Sequence, residues 1–226
     1  MSKVKSQKSK VAIIDYGYGN LFSLEKALVH LGVEPIVTDN PANLADSSAI
    51  FLPGVGAFGD GIKELKKRGF EEPILKHVQA EKPLFGICLG MQFLFDESEE
   101  FGKHKGLGVI AGKVRRIETT DPKAKIPHIG WNKLFIPDTG KGWGDTCFED
   151  VQEKEQVYFV HSYAGYPERK EDVFAETRYG GATLTAAVAK GKVVGTQFHP
   201  EKSGVVGLSI LKQFLARVSQ NCSRTL

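Results

Sequence analysis

From residue 11 to residue 88 the chain alternates short apolar runs with segments whose apolar residues recur at helical spacing, and this alternation limits the possible folds severely. Residues 11–15, Val-Ala-Ile-Ile-Asp, predict a strand. A Gly-containing turn follows, and then Leu21, Leu24, Leu28 and Leu31 lie on one helical face. Gly32 ends that helix, residues 34–38 predict a second strand, and residues 49–52 a third, stopped by Pro53 and Gly54. Residues 56–82 are largely helical with interruptions near Gly69 and Pro73, and residues 84–88 form a fourth strand. Short buried strands separated by amphipathic helices indicate a mostly parallel sheet covered on both faces.

After about residue 106 the texture changes: residues 109–117, 126–136, 157–161, 173–179, 184–188 and 193–198 are strand-like with few helices between them. This half is expected to extend the parallel sheet and add an antiparallel portion, before a closing amphipathic helix over 207–218. At 226 residues, with 41% hydrophobic content, one sizeable core is the default. Domain boundaries follow: a disordered leader over 1–10, a single domain over 11–218 and a polar tail over 219–226.

The formal charge is +3, and the leader alone supplies Lys3, Lys5, Lys8 and Lys10, so the rest of the chain stands at −1. No basic stripe is left to follow a nucleic-acid backbone. No apolar run has the roughly 18 residues of a membrane span, and the leader lacks the apolar region of a secretion signal. Cys88, Cys147 and Cys222 are odd in number and show no Cys-x-x-Cys spacing, which argues against a disulfide scaffold or a structural metal site. A reducing, cytoplasmic setting is expected.

Three turns bear on chemistry. Residues 84–92, Leu-Phe-Gly-Ile-Cys-Leu-Gly-Met-Gln, run from an apolar strand into Cys88 and turn at Gly90. Small residues at Gly86 and Gly90 suit a nucleophile on a tight strand-to-helix turn, although the stretch alone does not separate a reactive from an inert thiol. The turn at 15–22 contains Gly17-x-Gly19, but Phe22 stands where a dinucleotide fingerprint needs its third glycine, so no nicotinamide or flavin site is read there. Asn20 is a candidate helix cap. The turn at 53–58, Pro-Gly-Val-Gly-Ala-Phe, either eases a corner or presents amide N–H groups to an anion. In a parallel sheet it shares the carboxyl edge with Cys88.

A reactive thiol needs a base. His30, His77 and His104 carry no pattern that points to chemistry, and His128 and His161 lie in strand-like pieces. His199 stands apart because it closes an apolar strand and precedes Pro200 and Glu201. If that segment is extended, His199 and Glu201 point to the same side, so the carboxylate can orient the imidazole while its other nitrogen faces Cys88.

The combination of Gly86-Ile-Cys88-Leu-Gly90-Met-Gln92 with His199-Pro200-Glu201 resembles the class I glutamine amidotransferases. Within that family, the stretches at 14–21, 53–58, 128–132 (His-Ile-Gly-Trp-Asn) and 159–163 (Phe-Val-His-Ser-Tyr) resemble the glutaminase subunits of imidazole glycerol phosphate synthase, over residues 11 to about 218. The resemblance implies a flavodoxin-like doubly wound α/β fold, no cofactor or metal, and hydrolysis of L-glutamine through a thioester on Cys88, with His199 as base and Glu201 as its support. It implies an oxyanion site at Val55, Gly56 and Leu89, and glutamine contacts from Gly54, Gln92, His161, Ser162 and Tyr163. The implied partner is a (β/α)8-barrel cyclase subunit that receives the ammonia for histidine biosynthesis, with Trp131, Asn132, Tyr158 and Lys202 at the interface. Activity is then expected to be weak without that partner. The turn at 53–57 is a candidate switch whose N–H groups face away from the thiol in the isolated chain. A different amidotransferase, a stand-alone cysteine hydrolase and a non-catalytic subunit are the competing readings.

Overall fold

The computed structural model describes residues 10–138 and 142–222. All of the leader except Lys10, and residues 223–226 of the tail, lie outside the described residues. The first half contains β1 (Val11–Ile14), α1 (Leu21–His30), β2 (Ile36–Thr38), β3 (Ala49–Gly54), α2 (Phe58–Lys67), α3 (Glu71–Gln79), β4 (Leu84–Cys88) and the single-turn α4 (Leu89–Gln92). There follow β5 (Phe95–Ser98), β6 (His104–Lys105), β7 (Ile110–Arg116), β8 (His128–Lys133) and β9 (Gln156–His161). β10 (Tyr163–Pro167), β11 (Val173–Tyr179), β12 (Ala182–Lys190), β13 (Val193–Thr196) and α5 (Gly204–Cys222) complete the chain.

The main sheet has seven strands in the order β11-β12-β13-β4-β3-β1-β2. The run from β13 to β2 is parallel, and β12 and β11 add antiparallel strands at one edge. Within the parallel part the order is the doubly wound, flavodoxin-like one, with β13 in the place of the fifth strand. A four-stranded sheet, β10-β7-β5-β6, and the ribbon β8-β9 stand beside it.

Alternation along each central strand builds two cores. Val11, Ile13, Phe51, Phe85 and Ile87 face α1 and α5, and Phe51, Phe85 and Phe214 make mutual ring contacts at 5.0–5.6 Å. Ala12, Ile14, Ile50, Leu52 and Leu84 face α2 and α3 on the other side. Each fully buried Phe contributes about 2–3 kcal/mol of transfer free energy.

Several boundaries differ from the sequence reading. β3 continues through Pro53 and Gly54, which pair with Ile87 and Cys88. Proline is tolerated there because β1 pairs with β3 only as far as Phe51, so no ladder hydrogen bond is lost on that side. Pro73 does not interrupt a helix but lies in the first turn of α3, where its missing N–H costs nothing. Asn20 precedes α1 without a side-chain capping bond. The last helix is longer at both ends than expected, so residues 219–222 continue it.

Close backbone approach fixes the Cys88 turn. A Cβ on Gly86 would meet Gly90 O and Met91 N at 2.9 Å, and one on Gly90 would run into the Leu52 carbonyl oxygen. Gly90→Ala is therefore expected to lower the unfolding free energy by about 3 kcal/mol or more. Gly144→Ala, where no described residue lies within 4 Å of the added carbon, should change it by less than about 0.5 kcal/mol. Urea unfolding of the two variants checks this contrast.

Candidate active site

Strand ends converge at the carboxyl edge of the parallel sheet. β4 delivers Cys88, β3 delivers the 54–56 turn, and the chain leaving β13 delivers His199. Cys88 has φ 53° and ψ −108°, a conformation that non-glycine residues seldom adopt and that lifts the side chain off the strand. Its Sγ lies 3.7 Å from Gln197 Nε2 and 4.0 Å from the Val160 carbonyl oxygen. A cavity of about 370 Å³ opens above it, lined among others by Val55, Gly56, Cys88, Leu89, Gln92, Glu100, His161, Ser162, Tyr163 and His199.

His199 and Glu201 do meet, but not by the expected route. Pro200–Lys202 is a 3₁₀ turn rather than an extended segment. His199 is extended just before it, and the turn folds Glu201 back so that Oε1 lies 2.8 Å from His199 Nδ1. Both side chains are only 2% exposed. Ser203 secures the turn: its hydroxyl donates to His199 O at 2.6 Å and accepts the Tyr158 N–H at 3.0 Å, while His199 N donates to Tyr158 O at 3.0 Å.

Burial alone would lower the His199 pKa, but Cys88 and Glu201 on either side outweigh it and push it up to about 10. Nε2, the nitrogen not held by Glu201, lies on the Cys88 side of the ring and meets no geometric hydrogen-bond partner among the described residues. The arrangement favours the protonated ring, held at Nδ1 by Glu201 and able to give up its proton at Nε2.

Gln92 is buried, and its amide donates to Tyr163 O and to Gln197 Oε1, both at 3.0 Å. Gly54 is not on the cavity wall; it is buried in β3 opposite Cys88, where a side chain would strike the Tyr16 hydroxyl and Leu89. Gly56 has φ 98°, and the Val55 N–H donates to Tyr18 O at 2.9 Å. That donor is thus turned to the first Gly-rich turn and not to the thiol.

Trp131 and Tyr158 are register partners on β8 and β9, with their rings edge-on at 6.2 Å. Ile129 and Trp131 are 58% and 54% exposed and lie on the same face of the ribbon. Lys202 is exposed on the 3₁₀ turn. Asn132, by strand alternation, faces the other way: its Nδ2 reaches His128 Nε2 at 3.2 Å and Arg178 O at 2.9 Å.

Four further residues belong to the site without having been read from the sequence. Gln197 bridges Gln92 and Cys88. As a polar residue in an apolar strand, two positions before His199, it carried a usable signal. Glu100 lines the cavity and accepts the Phe58 N–H at 2.6 Å; burial raises its pKa. Tyr16 lies buried under the 54–56 turn, its hydroxyl without a partner and its pKa raised first by burial and then by the charge of Cys88. Val160 supplies the carbonyl beside the thiol.

The model of the family described as glutamine amidotransferase class-I matches residues 12–218. The chain belongs to the class I glutamine amidotransferases. Among similar proteins, the imidazole glycerol phosphate synthase subunit HisH of Syntrophotalea carbinolica is 47% identical over 90% of this chain and 98% of its own length. The subunit of the same name from Geobacter metallireducens is 46% identical over 90% of this chain and 96% of its own. HisH 1 of Legionella pneumophila is 42% identical over 92% and 99%. Of solved structures, PurLQS from Thermotoga maritima superposes with a TM-score of 0.71 at 22% identity, covering 93% of this chain and 99% of that one; at that identity it supports the fold alone. No helix among the described residues is long and apolar enough to cross a membrane.

Buried histidines of opposite kind give the protein a two-sided pH response. Burial lowers His77 and His128 to about 4 and His161 to about 3, so each disfavours protonation in the folded state. Their contribution is present above the unfolded value near 6.5 and is lost as pH falls towards 3. His199 is raised, so its contribution is full below about 6.5 and is lost as pH climbs through about 10. In urea titrations the stability of wild type relative to His199→Asn should therefore decline between about pH 6.5 and 10, and stay level below that window.

Proposed function

We propose that this amidotransferase hydrolyses L-glutamine to L-glutamate and ammonia as the glutaminase subunit of an imidazole glycerol phosphate synthase, and passes the ammonia to a (β/α)8-barrel cyclase subunit. The observation that carries the chemistry is the buried 2.8 Å contact of His199 with Glu201, beside the Cys88 thiol at the base of a cavity of about 370 Å³. The high identity to HisH subunits along nearly their whole length supports the choice of partner. The reading is of a cytoplasmic enzyme, in keeping with the free thiols of Cys88 and Cys147.

In this mechanism the Cys88 thiolate attacks the side-chain carboxamide carbon of glutamine. A C–S bond forms and the carbonyl electrons move to oxygen. The tetrahedral species collapses, the C–N bond breaks, and His199 Nε2 donates the proton that lets ammonia leave. His199 then takes a proton from water, the hydroxide attacks the thioester, and the C–S bond breaks to release glutamate. Glu201 stays ionised throughout, fixing Nδ1–H of His199. Leu89 N–H and the 55–56 turn serve the oxyanion. Gln92, Ser162 and Tyr163 hold the substrate, and Glu100 offers a carboxylate to its α-ammonium group.

Control follows from the Val55 N–H. While it donates to Tyr18 O, it is unavailable to the oxyanion. One such donor is worth about 10²–10³ in kcat, so the cyclase should raise glutaminase turnover by about that factor by freeing it. Ammonia release is measured for the chain alone and with saturating cyclase and its nucleotide substrate; equal rates would sink this account of control. Cys88→Ser should lose at least about 10³-fold of kcat in the complex, and near-wild-type turnover would remove Cys88 from its role.

Ile129 and Trp131 offer an exposed apolar face on the ribbon, with half-buried Tyr158 beside Trp131 and Lys202 nearby as a polar rim. Trp131→Ala is expected to weaken cyclase binding by about 2 kcal/mol or more, roughly 30-fold in Kd. Calorimetric titration measures this, and an unchanged Kd places the partner elsewhere.

A further inference from the structure

We propose that His128, which lies outside the cavity wall, is a positioning residue for glutamine binding: its Nδ1–H fixes His161, and through it the Tyr163 carbonyl on which Gln92 also depends. The proposal rests on reading the cavity above Cys88 as the glutamine site.

His128 and His161 are directly opposed on β8 and β9 and are 2% and 6% exposed. Among the described residues no carboxylate is hydrogen-bonded to either ring; their partners are each other, Asn132 and Tyr163 O. Both imidazoles are accordingly neutral, and burial, the first cause of their lowered pKa values, acts in the same direction. Neutrality determines every proton in the chain. Tyr163 O can only accept, so His161 Nδ1, at 2.8 Å, carries hydrogen. Its Nε2 is then a bare acceptor and must receive the hydrogen of His128 Nδ1, at 3.0 Å. His128 Nε2 in turn accepts from Asn132 Nδ2 at 3.2 Å. The Asn132 amide is oriented independently, because its Oδ1 accepts the Lys133 N–H at 2.8 Å and its Nδ2 also reaches Arg178 O.

The relay therefore runs one way, from Asn132 through His128 and His161 to the Tyr163 carbonyl. The His128 ring is clamped between Tyr179, with centroids 4.0 Å apart and planes 26° apart, and Phe159, at 4.8 Å and 22°. It cannot turn to offer a different nitrogen without giving up both stacks. At the other end, Tyr163 O also accepts from Gln92 Nε2, which donates to Gln197, the residue whose own amide approaches Cys88 Sγ at 3.7 Å. Two side chains that face the cavity, Gln92 and His161, thus take their orientation from one carbonyl.

Without a donor at His128, His161 Nε2 becomes a buried acceptor with no hydrogen. The proton stays on Nδ1, because moving it to Nε2 would bury an unpaired donor and set a bare Nδ1 against the Tyr163 carbonyl; the ring is instead held at one nitrogen only, which weakens its grip on Tyr163 O and loosens Gln92. Cys88, His199 and Glu201 make no hydrogen bond to Gln92, His161 or Tyr163 O, so the loss should appear in substrate binding and not in turnover.

Two variants separate donor from packing. His128→Phe keeps an aromatic ring in the clamp but has no donor, whereas His128→Asn keeps an N–H near the Nδ1 position without the full stack. Glutaminase assays use the full chain saturated with its cyclase. His128→Phe is expected to raise the glutamine KM about tenfold with kcat within about twofold of wild type, and His128→Asn to bring KM back within about threefold. Nitrogen-15 NMR of the imidazoles should find His161 as the Nδ1–H tautomer, with its bare Nε2 accepting a hydrogen bond in wild type and His128→Asn and showing the shift of an unpaired imine nitrogen in His128→Phe. An Nε2–H tautomer of His161 in the wild-type protein overturns the proposal without any substitution. So does an unchanged KM in His128→Phe, or an equal rise in both variants. Failure of the wild-type complex to release ammonia from glutamine would instead remove the glutaminase reading, while the tautomer spectrum would still test the relay.

Discussion

The site depends on how closely the backbone of α4 lies against β3 and β4. Gly86 and Gly90 have no room for a side chain, and Cys88 between them takes φ 53°. Such a conformation costs about 1–3 kcal/mol. The surrounding core offsets it: Phe51 and Phe85 below the turn are fully buried and lock onto Phe214 of α5. Each is worth about as much as the strain. The thiol is therefore held at the sheet edge by backbone contacts that no change of side-chain rotamer can relax.

Strand register carries the same precision across the site. Gly54 pairs with Cys88, so the 54–56 turn starts level with the thiol. β13 pairs with β4 as far as Thr196 and Ile87, so the chain leaves the sheet one step short of Cys88 and crosses above it at Gln197 to His199. The ribbon then closes the cavity from the other side, tied to the 3₁₀ turn through Tyr158 and Ser203. A displacement of the ribbon would therefore reach His199 through backbone hydrogen bonds and His161 through side chains.

The parallel half of the sheet was legible because its strands are buried on both faces and read as unbroken apolar runs. β1 and β4 begin where the apolar pattern does, and Gly32 stops α1 with φ 83°. β5, β6 and β10 were not legible. β5 reads Phe-Asp-Glu-Ser, and its polar residues are spent on contacts remote in sequence: Asp96 accepts the Gly112 N–H and Glu97 pairs with Lys113. β10, Tyr-Ala-Gly-Tyr-Pro, has the composition of a turn, yet Gly165 is required there because the Phe95 ring fills the space a side chain would take. Cys88, His199 and Glu201 could be singled out in the sequence because a thiol, an imidazole and a carboxylate are unusual at strand ends. Gln197 was overlooked although a polar residue closing an apolar strand is a signal, whereas Glu100 was missed because a lone polar residue in a loop shows its role only once the cavity is formed around it.

His161 and His199 show why residue type and burial alone do not predict an imidazole's work. Both are nearly inaccessible, at 6% and 2% exposure, and both have one ring nitrogen held by an oxygen at 2.8 Å. For His161 that oxygen is a backbone carbonyl and its other neighbour is a second neutral histidine, so desolvation wins and the ring is held neutral. For His199 the oxygen belongs to a carboxylate and the far side faces a thiol, so charge stabilisation wins by several powers of ten in proton affinity. A neutral ring with a fixed tautomer is a rigid strut, and a charged ring with a free Nε2 is a proton donor. The protein obtains both from the same side chain by deciding which kind of oxygen stands behind it.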